Sequence, residues 1–164
     1  MYPLPEREAV GTLLRHVLEL LDGDVAKVYA ELGLDDYRPR FSPVVRALLA
    51  EGPLPIRDLA RRVGVTHSAA SQTVAQLNRA GLVALTTGAD ARQRLVALTD
   101  KARELLPVVS AEWAATSAAM RELDAELTMP LADLLTELTE ALHRRPFRQR
   151  IADAGLTVPE TTDG

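Results

Sequence analysis

Apolar positions in the middle of the chain recur first at the helical period and then at the strand period. Ile56, Leu59, Ala60 and Val63 fall at i, i+3, i+4 and i+7, on one face of a helix entered through Pro55. Gly64 follows, the residue type that ends a helix in the left-handed conformation without a Cβ penalty. A second helix restarts at once, with Thr66 as N-cap, Ala70, Val74 and Leu77 as its buried stripe, and Gly81 after it. The small residues Ala60, Gly64 and Ala70 stand where two crossing helices must approach closely. After Gly81 the period changes. Residues 82–86 and 95–98 are apolar and β-prone, separated by a polar loop, which predicts a hairpin, and Thr99 caps a long helix starting at Asp100.

Helix, tight turn, helix, hairpin and helix make a winged helix-turn-helix, an arrangement whose second helix reads the DNA major groove. The face of that helix opposite its core stripe carries Ser68, Ser71, Gln72, Ala75 and Gln76. It is uncharged and rich in hydrogen-bonding groups, whereas an ordinary solvated face is richer in Lys and Glu. Gln pairs bidentately with adenine, Ser serves several bases, and each good contact contributes roughly 1 to 3 kcal/mol of discrimination. His67 either reaches a phosphate or simply begins the helix. At the hairpin, Arg92 and Arg94 suit a narrow minor groove, whose negative potential attracts a planar, weakly hydrated cation. Asp90, two residues before Arg92, then has the role of orienting an arginine. The plain alternative is an exposed loop with a weak surface ion pair.

These motifs resemble the MarR family of bacterial regulators. The resemblance rests on Ile56-Arg-Asp-Leu-Ala-Arg-Arg-Val-Gly-Val65, Ala70-Ser-Gln72, Leu77-Asn-Arg-Ala-Gly-Leu-Val83, Asp90-Ala-Arg92 and Leu98-Thr99-Asp-Lys101, within about residues 55–105. It implies a homodimer of winged helix-turn-helix lobes, usually a repressor released by a small, often aromatic, molecule. It maps the family's wing Asp-x-Arg onto Asp90 and Arg92, and its reading positions onto Ser68, Ser71 and Gln72. Thr66, His67, Gln76 and Arg94 complete the expected DNA-binding set. Two departures stand out. Ala102 replaces a frequent glycine, which as the better helix former firms the helix start. Gln72 and Gln76 stand where many relatives carry arginine, so hydrogen-bond readout should outweigh phosphate attraction on this helix.

Charge supports the same reading through its distribution. The chain has a net charge of −4, yet residues 55–103 hold eight Lys or Arg against three Asp, or +5, and the remainder 11 against 20, or −9. A basic window on an acidic chain gives the electrostatic footprint for phosphates while discouraging the rest of the surface from sticking to DNA. The chain of 164 residues, 47% apolar, is enough for one domain with a core. With no cysteine, thiol switches and disulfides are excluded. The sequence shows no signal peptide and no membrane-length apolar run, so the cytoplasm is the expected location. His16, His67 and His143 lack paired zinc-site spacing, Glu137 and Glu140 sit on a solvated face, and no nucleophile or phosphate-loop motif occurs. Neither an enzyme nor a cofactor is expected.

The expected fold is mainly α with a small β-hairpin wing. Residues 1–150 form a single domain, in which 42–99 are the DNA-binding lobe and 6–40 and 100–150 are dimerisation helices; 151–164 form a tail, poorly ordered from Gly155. Residues 6–32 carry the broad stripe Val10, Leu13, Leu14, Val17, Leu18, Leu21, Val25, Val28 and Leu32, loosened at Gly23. Leu105, Val109, Trp113, Met120 and Leu123 line a second helix, and Leu131, Leu134, Leu135, Leu138 and Leu142 a third after the break near Pro130. Stripes at both ends suggest that two copies pack together, the alternative being one intramolecular bundle. A two-fold dimer places its reading helices roughly 34 Å apart, on a pseudo-palindromic operator. The resemblance puts an effector near Arg15, His16, Tyr29, Phe41 and Trp113, each of which also has a plain structural reading: Phe41 and Trp113 as core, His16 as a half-exposed helix residue. The expected partners are thus double-stranded DNA, a second copy of the chain and a small effector, with no membrane. Two alternatives stay open: a winged-helix protein interaction module without DNA binding, and an activator of the same fold.

Overall fold

A computed structural model describes residues 9–87 and 94–155. Its order is α1 (Val10–Glu31), a 3-10 turn (Pro39–Phe41), α2 (Ser42–Glu51), α3 (Ile56–Val63), α4 (His67–Arg79), β1 (Val83–Thr87), β2 (Arg94–Leu98), α5 (Asp100–Ala125), α6 (Leu131–Arg144) and α7 (Phe147–Asp153). The chain divides into two compact units, residues 1–113 and 114–164, with the division inside α5. Among the described residues, no helix is long and apolar enough to cross a membrane.

The core of the first unit gathers apolar residues from all its elements. Val44, Val45 and Leu48 of α2, Leu59 of α3, Val74 and Leu77 of α4, Leu82, Val83, Val96 and Leu98 around the hairpin, and Val109 of α5 are all buried. β1 and β2 pair antiparallel in the register Val83 with Leu98 through Thr87 with Arg94. Leu54 adds a single-residue third strand, exchanging backbone hydrogen bonds with Val96 at 3.1 and 2.8 Å. This bridge anchors the wing to the start of the helix-turn-helix, so the hairpin is not an isolated two-stranded ribbon.

Gly64 takes φ 76°, ψ 31°, and the amides of Gly64 and Val65 both return to the Ala60 carbonyl at 3.0 Å. A Cβ built there would meet nothing within 4 Å, so the position needs glycine for its backbone angle. Close approach, expected of Ala60, Gly64 and Ala70 together, applies to the buried Ala60 and Ala70 only. Gly23 does not loosen α1, which runs unbroken from Val10 to Glu31 because an interior glycine weakens a helix without stopping it.

In the second unit, the Asp124 carboxylate accepts the Leu131 amide at 2.9 Å and so caps α6 across the break at Pro130. α7 was not expected. It occupies residues assigned in part to the tail, begins after Pro146, and is held by Arg150, which donates to the Ala141 and Arg145 carbonyls at 3.0 and 3.2 Å, and by the Arg145–Asp153 ion pair. Proline ahead of the amphipathic pair Phe147 and Ile151 was the signal available in the sequence.

Candidate nucleic-acid interface

The Thr66 side chain caps α4, its Oγ1 accepting the Ala69 amide at 3.2 Å. That cap fixes where the helix begins, and hence which side chains its first turns present. Ala70, Val74 and Leu77 are buried, while Thr66, His67, Ser68, Gln72 and Ala75 are exposed and Ser71 is half-buried. The exposed face is uncharged along its first three turns. α3, packed against α4, carries Arg57, Arg61 and Arg62, but these are engaged: Arg57 and Arg61 pair with Asp58, and Arg62 with Glu51. The Arg61 guanidinium holds the Asp58 carboxyl below its ordinary range, with Arg57 adding to the effect. Direct contacts from α4 would therefore come from neutral donors and acceptors.

Gln76 is the member of the expected set that the fold sets apart. It is half-buried, its Oε1 is shut off from water without a hydrogen-bond partner, and it lines a groove with Arg38, Arg40 and Arg79. In the wing, Arg94 opens β2 and is exposed. Asp90 and Arg92 lie outside the described residues.

The five residues expected near an effector separate into different environments. Tyr29 and Phe41 are core residues, joined by Tyr37 through edge-on ring contacts at 4.9 and 5.8 Å. The Tyr29 hydroxyl donates to Glu112 Oε2 at 2.6 Å, and the half-buried Trp113 donates its ring N–H to Ser42 Oγ at 2.9 Å. Burial, and then the bond to Glu112, raises the Tyr29 phenol well above its ordinary value. Burial pushes Tyr37 up to about 12. Arg46 stacks over the Trp113 ring, 4.3 Å from its centre. Arg15 faces a different space, a groove of 470 Å³ shared with Leu18, Glu19, Arg38 and Arg40. His16 is half-buried on α1. Sequence reasoning missed Ser42, Arg46 and Glu112, because only folding brings α1, α2 and α5 together.

Residues 42–93 match the model of the MarR family. This segment is MarR-like. No curated protein matches the sequence. Among solved structures, the transcriptional regulator PcaV from Streptomyces coelicolor, in complex with its natural ligand, is 20% identical with a TM-score of 0.63, over 88% of this chain and 99% of that one. MOSR of M. tuberculosis in complex with DNA is 22% identical with a TM-score of 0.65, over 83% and 96%. The S. aureus MepR–DNA complex is 18% identical with a TM-score of 0.61, over 81% and 95%. At these identities the likeness establishes the fold.

The MarR-like motifs after α4 have a direct physical role. Gly81 turns the chain at φ 70°, and the Leu82 amide returns to the Leu77 carbonyl at 2.9 Å. The Asn78 side chain donates to the Val83 carbonyl at 2.9 Å, which fixes the angle at which β1 leaves the helix. Thr99 acts twice, donating to the Gly81 carbonyl at 2.7 Å and accepting the Ala102 amide at 3.2 Å, while Lys101 donates to the Ala80 carbonyl at 2.8 Å. The end of α4, both strands of the wing and the start of α5 thus form one hydrogen-bonded junction. Ala102, the departure from the motif, is buried in the core, where its methyl adds apolar contact.

Proposed function

We propose that the chain is a sequence-specific, DNA-binding transcriptional regulator of MarR type, a homodimer that represses from a pseudo-palindromic operator and is released by a small effector. The observation that carries this reading is the exposed, uncharged face of α4, with Thr66, His67, Ser68 and Gln72 outward, beside a hairpin whose second strand opens on an exposed arginine. Ser71 joins this face at its edge, and Asp90, Arg92 and Arg94 are assigned to the wing. The solved DNA complexes of MOSR and MepR support the same use of the fold. The PcaV complex with its natural ligand supports a small effector. Exposed leucines on α1 and α6 support the homodimer.

Selection of bound sequences from a random duplex library, at near-physiological salt, tests the reading. A recovered pseudo-palindrome with half-sites about one helical turn apart is the expected result. Gln72→Ala should then relax preference at one base position at a cost of roughly 1 to 3 kcal/mol, and Arg94→Ala should lower the salt slope by about one unit. No recovery above background from folded protein would favour a protein-docking winged helix instead.

A further inference from the structure

Arg38, Arg40 and Arg79 converge on one groove of 380 Å³, between the 3-10 turn and the C-terminal end of α4. None of the three makes an ion pair or a side-chain hydrogen bond among the described residues, in contrast to Arg57, Arg61 and Arg62 on α3. Three unpaired guanidinium groups around one space repel each other and offer planar sets of donors, the arrangement that an oxoanion stabilises. The negative potential at the end of α4, which disfavours an anion, is reduced by hydrogen bonds to carbonyls there. Gln76 O accepts the Ala80 amide at 2.9 Å, Asn78 O the Gly81 amide at 2.9 Å, and Ala80 O the Lys101 ammonium at 2.8 Å.

The same groove also holds two acceptors. Gln76 lines it, its Oε1 closed off from solvent and without a partner, and Asp36 lines it with a carboxylate whose one ion pair among the described residues, to Lys101, is 3.7 Å long. An anion with no hydrogen would satisfy the arginines but leave Gln76 unpaired and be repelled by Asp36. An anion carrying an O–H satisfies both sets, donating to one acceptor while its other oxygens accept from the guanidinium groups. We propose that this groove is a binding site for inorganic phosphate. At neutral pH that ion keeps an O–H, whereas a phosphate monoester, with a second pKa of about 6, has largely lost its own. Sulfate and the phosphodiesters of DNA have none. In this site the Gln76 side chain would have to turn to bring its buried Oε1 to the ligand. The site lies on the reading lobe at the C-terminal end of α4, apart from the side chains of Thr66, His67, Ser68 and Gln72 at its start.

Calorimetric titration of the full chain with inorganic phosphate near neutral pH, with sulfate at matched ionic strength, tests this. The expected result is saturable binding, one ion per chain, roughly tenfold or more tighter for phosphate than for sulfate. Arg79→Ala and Arg38→Ala, both at exposed positions, should each weaken it roughly tenfold or more, as loss of a charge-assisted hydrogen bond does. Each variant is checked for folding by circular dichroism, and either suffices if the other fails to fold. Gln76→Leu should remove most of the preference for phosphate over sulfate. Absence of saturable binding, equal affinity for sulfate, or unchanged affinity in the arginine variants overturns the proposal. A separate arm compares the salt dependence of DNA binding by the parent and Arg79→Ala: an unchanged slope is expected, and a slope lowered by about one unit overturns the proposal by assigning the groove to the DNA backbone. The phosphate titration is decisive whether or not the chain binds DNA.

Discussion

Helices α4 and α6 carry apolar residues at the same helical spacing, with opposite outcomes: Leu77 on α4 is 0% exposed, and Leu138 on α6 is 42% exposed. In the first unit, α2, α3, α4, the hairpin and the start of α5 cover one another's apolar faces. In the second, no residue of α6 or α7 is buried, and Phe147 is 64% exposed. α1 shares that character, with Tyr29 its single buried residue. A helix stripe is an instruction to bury, and whether it is met within one chain depends on how many other stripes fold back on it. The MarR-like lobe meets it alone, while α1 and α6 each leave apolar residues exposed.

The sharpest way to break this contrast is to cut into each side of it. Leu77→Ala should destabilise the lobe by about 2 to 5 kcal/mol, because the transfer loss and the cavity add at a fully covered site. Urea unfolding followed by circular dichroism reads this, and a loss near zero would mean that the lobe core is not the folding unit. Leu138→Glu should leave that unfolding curve nearly unchanged at low protein concentration. If the proposed homodimer uses α6, sedimentation equilibrium should instead show it weakened by about 2 kcal/mol or more, for a charge placed in an apolar contact. If the dimer is unaffected, α6 is not part of the interface.

A smaller effect separates the lobe by pH. Tyr37, pushed up to about 12 in the folded chain by burial, keeps its proton where the unfolded chain, with a phenol near 10, has lost it. The unfolded state therefore binds fewer protons between those values, and stability is present below pH 10 and falls as pH rises through the window, by at most about 1.4 kcal/mol per pH unit for each such tyrosine. Tyr29 is raised in the same direction and extends the loss. Tyr37→Phe should flatten the decline in thermal midpoint above pH 10, and an identical decline would show that other groups cause it. The smallest expected effect is at the junction. Thr99→Ala removes a helix cap and should cost about 1 kcal/mol, with Thr99→Ser restoring most of it in the same unfolding assay.

Elements with a complete local signal were legible in the sequence. Pro55, Gly64, Thr66 and Gly81 punctuate α3 and α4, and the change of period after Gly81 marked the hairpin to within a residue. α7 was missed, since seven residues leave too short a stripe to show a period. For the candidate interface, the sequence distinguished the two faces of α4 but treated Gln76 as a member of the open one. Its place beside Arg38 and Arg40 depends on where the 3-10 turn packs, and spacing along α4 carries no information on that.

By itself the sequence determined the local structure of the lobe: which residues start and stop its helices, which face each helix buries, and where the basic charge concentrates. Those properties follow from backbone preferences and from the fixed periods of helix and strand, which act over a few residues. Tertiary structure alone decided that Tyr29 meets Glu112 across 83 positions of sequence, that Thr99 ties the turn at Gly81 to the head of α5, and that three arginines from the α1–α2 linker and α4 share one groove. Such meetings depend on the path of the whole chain, because side chains distant in sequence acquire a common environment only when the core between them has closed.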